Sequence, residues 1–244
     1  MIRLPLLDAT RPEHFPDPRK ALNDPNGLLA FGGDLSPRRL LAAYAQGIFP
    51  WFNEDEPLLW WSPDPRCVFH TSSLRPNRTV RRRLAQVDWH VTVDHAFREV
   101  VEACAAPRAG QSGTWIVPAM VDAYAHLHEM GYAHSVEVWE QDRLVGGIYG
   151  IAVGRLFCGE SMFSRESGGS RVALLALAKL LRGWDFPWID AQVTNAHLVQ
   201  LGAVEYPRAQ FLRTVAQLSQ LPGQRGSWAP FTSLAQVTDQ AAAD

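Results

Sequence analysis

The sequence contains few cysteines. Its 244 residues include three, Cys67, Cys104 and Cys158, which are widely spaced and form no Cys-x-x-Cys arrangement. An odd number of isolated cysteines argues against a disulfide framework and is typical of a reducing compartment. We therefore expect a cytoplasmic protein.

Long apolar segments and a large excess of charge are also missing. The longest apolar run, near 172–181, contains Lys179 and is much shorter than a membrane span. Pro5 and Asp8 interrupt the N-terminus, which therefore lacks the apolar stretch of a signal peptide. The formal net charge of -2 gives no overall attraction to nucleic acid or to a membrane. We expect no membrane association, and any nucleic-acid site must be local.

Histidines with metal-ligand spacing are absent as well. His126 and His128 are two residues apart on a predicted helix, so their side chains point to different faces. We expect core or surface histidines and no metal site.

Turn residues dominate the first sixty positions. Clusters of Pro, Gly, Asn and Asp recur there, and little regular structure fits between them. The exception is a helix after Ser36, which has Pro37 at its first position and Gly47 just beyond its end. We place a domain boundary in the proline-rich stretch after Trp61. This divides the chain into a small N-terminal domain over 1–63, a larger domain over 64–235 and a disordered tail over 236–244.

Helix and strand patterns alternate in the larger domain. The predicted helices lie at 76–86, 94–105, 118–130, 170–182 and from 195, with a last one ending near 218. The predicted strands lie at 89–93, 135–140, 143–153, 155–158 and 188–193, with one more before the last helix. Hairpin-length connections make the middle of the sheet antiparallel. The fold class is therefore α+β with a mixed, largely antiparallel central sheet.

Two segments, 157–165 and 189–195, place polar groups among bulky apolar residues. The first contains Glu160, and the second contains Asp190 and Gln192, which are two apart on a predicted strand and hence on one face. An apolar pocket with a few convergent polar groups is the usual form of an active site. The alternative is that Asp190 and Glu160 are hydrogen-bonded structural carboxylates.

Three motifs match known signatures only in part. The turn at 165–170 resembles the pyrophosphate-binding turn of coenzyme A-dependent N-acyltransferases, but Ser170 stands where Gly or Ala is usual. The segment 159–163 fails the nucleophile-elbow pattern, because Phe163 replaces the final glycine. The glycines at 146–150 lie inside a strand pattern, which favours close backbone packing over a phosphate loop.

A local RNA site is predicted from basic and aromatic residues. Five arginines with no acid among them fall within nine positions: Arg75, Arg78, Arg81, Arg82 and Arg83. Such a run is either a solvated helix face or a site whose repulsion is relieved by a phosphate backbone. Of nine tryptophans, Trp51 and Trp115 lie in turn-rich segments, where an exposed indole can stack on a nucleobase.

Several motifs occur in a fixed order between about residues 15 and 215. They are Gly32-Gly33-Asp34-Leu35-Ser36-Pro37, Gly47-Ile48-Phe49-Pro50-Trp51-Phe52, Trp60-Trp61-Ser62-Pro63-Asp64-Pro65-Arg66, Gly113-Thr114-Trp115-Ile116, His134-Ser135-Val136-Glu137-Val138-Trp139, the segment from Phe157 to Arg165, and Asp190 with Gln192. In this order they resemble the leucyl/phenylalanyl-tRNA-protein transferase family. The resemblance implies a GNAT-type acyltransferase domain after the small N-terminal domain. It also implies transfer of Leu, Phe or, less readily, Met from aminoacyl-tRNA to proteins with an N-terminal Arg or Lys, which marks them for degradation.

The resemblance also implies roles for particular residues. Trp51 and Trp115 would sandwich the terminal adenine of the tRNA. Asp190 and Gln192 would act at the bond-forming step, with Glu160 beside them. The tRNA backbone would contact Arg78, Arg81, Arg82 and Arg83. The pocket for the donor side chain would be formed by Ile148, Phe157, Met162, Leu177 and Ile189.

The donor is an activated ester, so the acceptor amine can attack it directly without a metal or a cofactor. We hypothesise that Gln192 orients the amine, because an amide oxygen accepts hydrogen bonds but is not a base. Asp190 then polarises this contact or accepts the proton, and Glu160 either attracts the cationic acceptor or positions the α-amino group of the donor. A monomer is expected. The rival functions are a coenzyme A-dependent N-acetyltransferase and a tRNA-binding module without catalysis.

Overall fold

The computed structural model describes residues 4–107 and 116–229. Its N-terminal part contains a four-stranded sheet of order β1-β2-β4-β3. The strands are β1 (Leu6–Leu7), β2 (Leu28–Gly32), β3 (Phe49–Pro50) and β4 (Leu59–Trp61). The expectation of little regular structure here was wrong, because strands this short, flanked by turns, do not show an alternating pattern.

The first helix, α1 (Pro37–Ala45), confirms its predicted bounds. The hydroxyl of Ser36 accepts the backbone N–H of Arg39, and Pro37 occupies the first turn. Gly47 has φ 72°, a left-handed conformation that favours glycine, and a Cβ there would lie 2.7 Å from the side chain of Leu212.

The larger sheet has seven strands in the order β11-β5-β10-β9-β8-β7-β6. They are β5 (Arg66–His70), β6 (Trp89–Val93), β7 (Ala133–Glu140), β8 (Arg143–Val153), β9 (Leu156–Ser164), β10 (Trp188–Gln192) and β11 (Val204–Tyr206). The pairing of β9 with β10 is parallel, and every other pair is antiparallel. The predicted mixed, largely antiparallel sheet is confirmed.

Helices cover the larger sheet. They are α2 (Arg78–Leu84), α3 (Phe97–Ala105), α4 (Pro118–Glu129), α5 (Gly169–Gly183), α6 (Ala196–Leu201) and α7 (Arg208–Leu218). Two adjacent glycines on β8 show how closely the helices approach. A Cβ on Gly146 would lie 2.4 Å from the backbone of Gly169 in α5, and one on Gly147 would lie 3.2 Å from Val100 in α3. Successive strand residues face opposite sides, so α5 and α3 pack on opposite faces, and the predicted close backbone packing is confirmed.

Side chains from both parts of the chain share one hydrophobic core. It contains Leu40 of α1 and Trp60 of β4 together with Val100 of α3, Tyr124 of α4 and Phe211 of α7. A second core lies around α5. Within the described residues, no helix is both long and apolar enough to cross a membrane.

The sequence expectation that Asp94 caps α3 was wrong. The helix begins at Phe97, and its preceding residue, Ala96, makes no capping bond. Asp94 has φ 56° and a buried side chain, whose carboxylate accepts hydrogen bonds from the imidazole of His134 at 2.9 Å and from the backbone N–H of Trp228 at 2.7 Å. Partners distant in sequence therefore outcompete the local cap.

Candidate active site

A cavity of about 980 Å³ opens where β9 and β10 separate. Their pairing ends with Cys158 opposite Asp190, although β9 continues to Ser164. Most of the wall is apolar and includes Phe49, Phe69, Ile148, Met162, Leu174 and Ile189. The side chains of Glu160 and Gln192 are polar groups in this wall.

One irregularity in β9 and one in β10 set the orientation of these polar side chains. On β9, Gly159 and Ser161 pair with consecutive residues of β8, so Glu160 is an additional, unpaired residue. On β10, a register shift follows Asp190, and Gln192 has φ 62°. Bulges of this kind interrupt side-chain alternation and re-aim side chains. Asp190 and Gln192 are thus not two equivalent positions on one face: Gln192 lines the cavity, whereas Asp190 does not.

Asp190 forms a buried ion pair with Arg66 of β5. The guanidinium donates from Nε to Oδ1 at 2.8 Å and from Nη2 to Oδ2 at 2.7 Å, and both side chains are 1% exposed. Arg66 also donates to the carbonyl of Gly47 at 3.1 Å, and its guanidinium lies over the rings of Phe49 and Phe211, at 4.8 and 4.6 Å from their centroids. Because Asp190 Oδ1 additionally accepts the backbone N–H of Gln192 at 3.0 Å, this ion pair holds the bulge of β10.

Glu160 and Gln192 form a hydrogen-bonded pair at the cavity wall. Gln192 Nε2 donates to Glu160 Oε1 at 2.7 Å, and the phenol of Tyr124 donates to Glu160 Oε2 at 2.6 Å. Tyr44 of α1 continues the chain, with its hydroxyl 2.7 Å from that of Tyr124. Burial raises the pKa of Glu160 to about 7, although hydrogen bonds from the tyrosines and Gln192 act in the opposite direction.

The residues predicted to form the donor pocket divide into two groups. Ile148, Met162 and Ile189 line the cavity. Phe157 and Leu177 do not; both are buried in the second core. Phe157 lies before the bulge of β9 and packs 5.9 Å from the ring of Trp228, and Leu177 lies one turn of α5 beyond the lining residue Leu174.

Trp51 stands at the cavity mouth with 41% of its surface exposed. The indole of Trp61 donates to the carbonyl of Trp51 at 2.6 Å, and the two rings are 5.6 Å apart. This arrangement fixes the backbone of Trp51 while leaving its indole accessible. Trp115 lies outside the described residues.

Three of the predicted basic residues, Arg78, Arg81 and Arg82, are exposed on α2 and are termed the arginine face. Arg83 differs from them. Its guanidinium is 3.6 Å from the carboxylate of Glu166 and lies over the ring of Trp89. Glu166, which is distant in sequence, therefore compensates the charge of Arg83, although the arginine run itself contains no acidic residue.

Sequence reasoning assigned no functional role to Arg66, Tyr44 or Tyr124. All three are buried and complete the hydrogen bonds around Asp190 and Glu160. Arg66 belongs to a motif that resembles the family, but no spacing rule connects it to a residue 124 positions away. Among the described residues, no group of three or more His, Cys, Asp and Glu could hold a metal ion.

An α+β fold with a buried carboxylate and amide at an apolar cleft defines a candidate enzyme that binds an apolar group beside a polar reaction centre. Family models agree with this class. The model of the leucyl/phenylalanyl-tRNA protein transferase matches residues 68–216, and that of the N-terminal domain of the same family matches residues 33–64.

Three similar proteins are each named leucyl/phenylalanyl-tRNA–protein transferase. The protein from Xanthomonas axonopodis pv. citri is 57% identical, covering 91% of this chain and 90% of its own length. Those from Shewanella woodyi and Tolumonas auensis are 52% and 53% identical, covering 89% and 94% of this chain and 92% and 97% of their own lengths. The chain therefore belongs to the leucyl/phenylalanyl-tRNA–protein transferase family, whose members are aminoacyltransferases.

Proposed function

We propose that this protein transfers leucine or phenylalanine, and less readily methionine, from aminoacyl-tRNA to the N-terminal Arg or Lys of acceptor proteins and so marks them for degradation. Membership of the family supports the reaction. The observation that carries the proposal at the atomic level is the cleft. It combines an apolar wall, the Glu160–Gln192 pair and the exposed indole of Trp51 in one cavity.

The chemical step is direct aminolysis of the ester. The neutral α-amine of the acceptor attacks the carbonyl carbon, a C–N bond forms, and the C–O bond to the tRNA breaks. The amine loses one proton and the departing 3′ oxygen gains one, so the reaction needs no net acid or base. A terminal amine has a pKa of about 7.7–8.0, so a correctly oriented hydrogen-bond acceptor is sufficient near neutral pH.

Gln192 is the proposed acceptor of this hydrogen bond. Its Nε2 is committed to Glu160, which leaves its Oε1 for a ligand in the cleft. Asp190 acts as a positioning residue rather than a base, because both its oxygens bind Arg66 and it does not line the cavity. Glu160 is the acidic residue among the described lining residues, so we assign to it the attraction of the cationic acceptor.

The donor side chain is proposed to bind against Ile148, Met162 and Ile189, with Phe157 and Leu177 supporting the pocket from the second core. A difference of one methylene in such a pocket changes binding by about 1–3 kcal/mol. Selection among leucine, phenylalanine and methionine is therefore expected to be graded.

The tRNA is proposed to stack its terminal adenine between Trp51 and Trp115 and to place its backbone along Arg78, Arg81, Arg82 and Arg83. The exposure of Trp51 and of the arginine face supports this assignment. Arg83, which already pairs with Glu166, contributes less than the other three.

The proposed architecture is a small domain over 1–63 followed by a GNAT-like domain over 64–235. The last strand of the small sheet ends at Trp61 and the first strand of the large sheet begins at Arg66, which supports the boundary. A cytoplasmic monomer is the proposed form.

Transfer of radiolabelled leucine or phenylalanine from charged tRNA tests the function. A peptide beginning with Arg is expected to be labelled, whereas the same peptide beginning with Ala is not. Gln192→Ala should abolish labelling, and Val199→Ala, at an exposed position on α6, is the control. Acetylation from acetyl-coenzyme A without transfer from tRNA would indicate the acetyltransferase, and tRNA binding without any product would indicate the binding module.

A further inference from the structure

Two tyrosines stand behind the reaction centre and have no part in the chemistry above. Tyr44 of α1 is 1% exposed, and Tyr124 of α4 is fully buried. Each phenol lies in a hydrogen-bonded chain that ends at Glu160 in the cavity wall. The chain therefore connects the helix α1 of the N-terminal part with the cleft of the larger sheet.

The direction of this chain follows from its chemistry. A phenol has one proton to donate, and an ionised carboxylate can only accept. Tyr124 must therefore give its proton to Glu160, and Tyr44 must give its own to the oxygen of Tyr124. Burial raises the pKa of both phenols well above the ordinary value, so both remain donors at neutral pH. Successive donation in one direction strengthens the bond received by the carboxylate.

The charge of Glu160 decides the orientation of Gln192. An ionised Glu160 accepts from the amide NH₂, which turns the amide oxygen of Gln192 towards the cleft. A protonated Glu160 can donate instead, which favours the opposite orientation with the NH₂ towards the cleft. In that orientation Gln192 cannot accept a hydrogen bond from the attacking amine.

We propose that Tyr124 and Tyr44 are positioning residues, which keep Glu160 an ionised acceptor and thereby hold the amide oxygen of Gln192 towards the acceptor amine. The inference rests on the proposed aminoacyl transfer. It assigns a role to two residues that touch neither the donor nor the acceptor.

The surroundings of Glu160 make this support necessary. Burial raises the pKa of Glu160 to about 7, and the negative charge of Asp190 acts in the same direction. Hydrogen bonds from the tyrosines and Gln192 are what oppose this rise. Among the described residues, the titratable or charged groups that interact with Glu160 are Asp190 with its partner Arg66, the phenols of Tyr44, Tyr124 and Tyr149, and the thiol of Cys158. Arg165 and His197 line the same cavity.

Tyr149 provides a matched control. Its ring packs against that of Tyr124 with centroids 5.6 Å apart, and it is equally buried. Its hydroxyl has no hydrogen-bond partner among the described residues. Tyr124→Phe and Tyr149→Phe thus remove the same atom from neighbouring core positions, but only the first breaks the chain to Glu160.

The test is the pH profile of kcat/KM for transfer to a peptide beginning with Arg, from pH 6 to 8.5. Loss of a hydrogen bond to a carboxylate is expected to raise the pKa of Glu160 in Tyr124→Phe by about one pH unit, and the ratio of variant to wild-type rate at each pH reports this rise because the acceptor amine titrates alike in both. Because the wild-type pKa of Glu160 is about 7, the rate of Tyr124→Phe should be about fivefold below that of the wild type at pH 7 and within about 1.5-fold of it at pH 8.5. Tyr149→Phe should follow the wild-type profile, and ester hydrolysis is subtracted at each pH.

Tyr44→Phe removes only the hydrogen bond between the two phenols. It should raise the pKa of Glu160 by a smaller amount. It tests the same chain if Tyr124→Phe does not fold by circular dichroism. The proposal would be overturned if the pH profiles of Tyr124→Phe and Tyr44→Phe coincided with that of Tyr149→Phe, or if their loss of rate were constant with pH. A wild type inactive at every pH would instead overturn the aminoacyl transfer itself.

Discussion

The ionisation of Glu160 can be measured as a change in protein stability. Its pKa rises from the ordinary value of 4.5 to about 7, chiefly because the carboxyl is buried. The folded state therefore binds the proton more tightly than the unfolded state. Its contribution to stability is fully present below pH 4.5 and is lost as the pH rises through 7. A difference of about 2.5 pKa units, at about 1.36 kcal/mol each, amounts to about 3 kcal/mol.

Glu160→Gln isolates this contribution. Glutamine has the same size and can still accept the hydroxyl of Tyr124, but it does not ionise. Compared with the wild type, the free energy of unfolding of the variant should rise by about 2–3 kcal/mol between pH 5 and pH 8.5. Urea unfolding of both proteins at the two pH values gives this number, because the other titrating groups are common to both.

Glu99, exposed on α3, supplies the control, since Glu99→Gln alters the formal charge equally and does not touch the buried chain. A difference below about 1 kcal/mol for Glu160→Gln would contradict a raised pKa of Glu160. The same variant should also lose transfer at every pH, because its own NH₂ faces Gln192 and favours the reversed amide.

Further predictions concern the ion pair and the proposed tRNA contacts. Arg66→Met leaves Asp190 buried without its partner and should lower the free energy of unfolding by about 3–5 kcal/mol, and adding Asp190→Asn should restore part of it, as urea titration would show. Trp51→Ala should weaken binding of tRNA by about 1–3 kcal/mol. If stacking is the cause, Trp51→Phe should retain part of the affinity, and Trp51→Ala should make no difference to tRNA that lacks its 3′ adenosine. Replacing the arginine face with glutamine should reduce the slope of log K against log salt by about one per arginine, and an unchanged slope would place the tRNA elsewhere.

Features that depend on neighbouring residues could be predicted from the sequence. The helix α1 is specified by Ser36, Pro37 and Gly47, and these signals act within one or two turns of the chain. The hairpins of the larger sheet follow from the short connections between their strands. Glu160 and Gln192 lie in polar runs among apolar residues, which predicts that they share a site, and the structure brings these two side chains together at the cavity wall.

Features that depend on bulges or distant partners could not be predicted. Alternation along β10 placed Asp190 and Gln192 on one face, but a register shift directs them to different surroundings. The sequence likewise contains nothing that separates Arg83 from the arginine face, because Glu166 approaches it only in the folded chain.

The sequence by itself determined the family, the order of the main helices and strands, and the polar residues of the cleft, since each is encoded in local patterns and motifs. Only the tertiary structure decided how those residues are charged and oriented. Arg66 reaches Asp190 and Tyr124 reaches Glu160 across the core. Burial and hydrogen bonding in that core, rather than position along the chain, set the pKa of Glu160 and the orientation of Gln192.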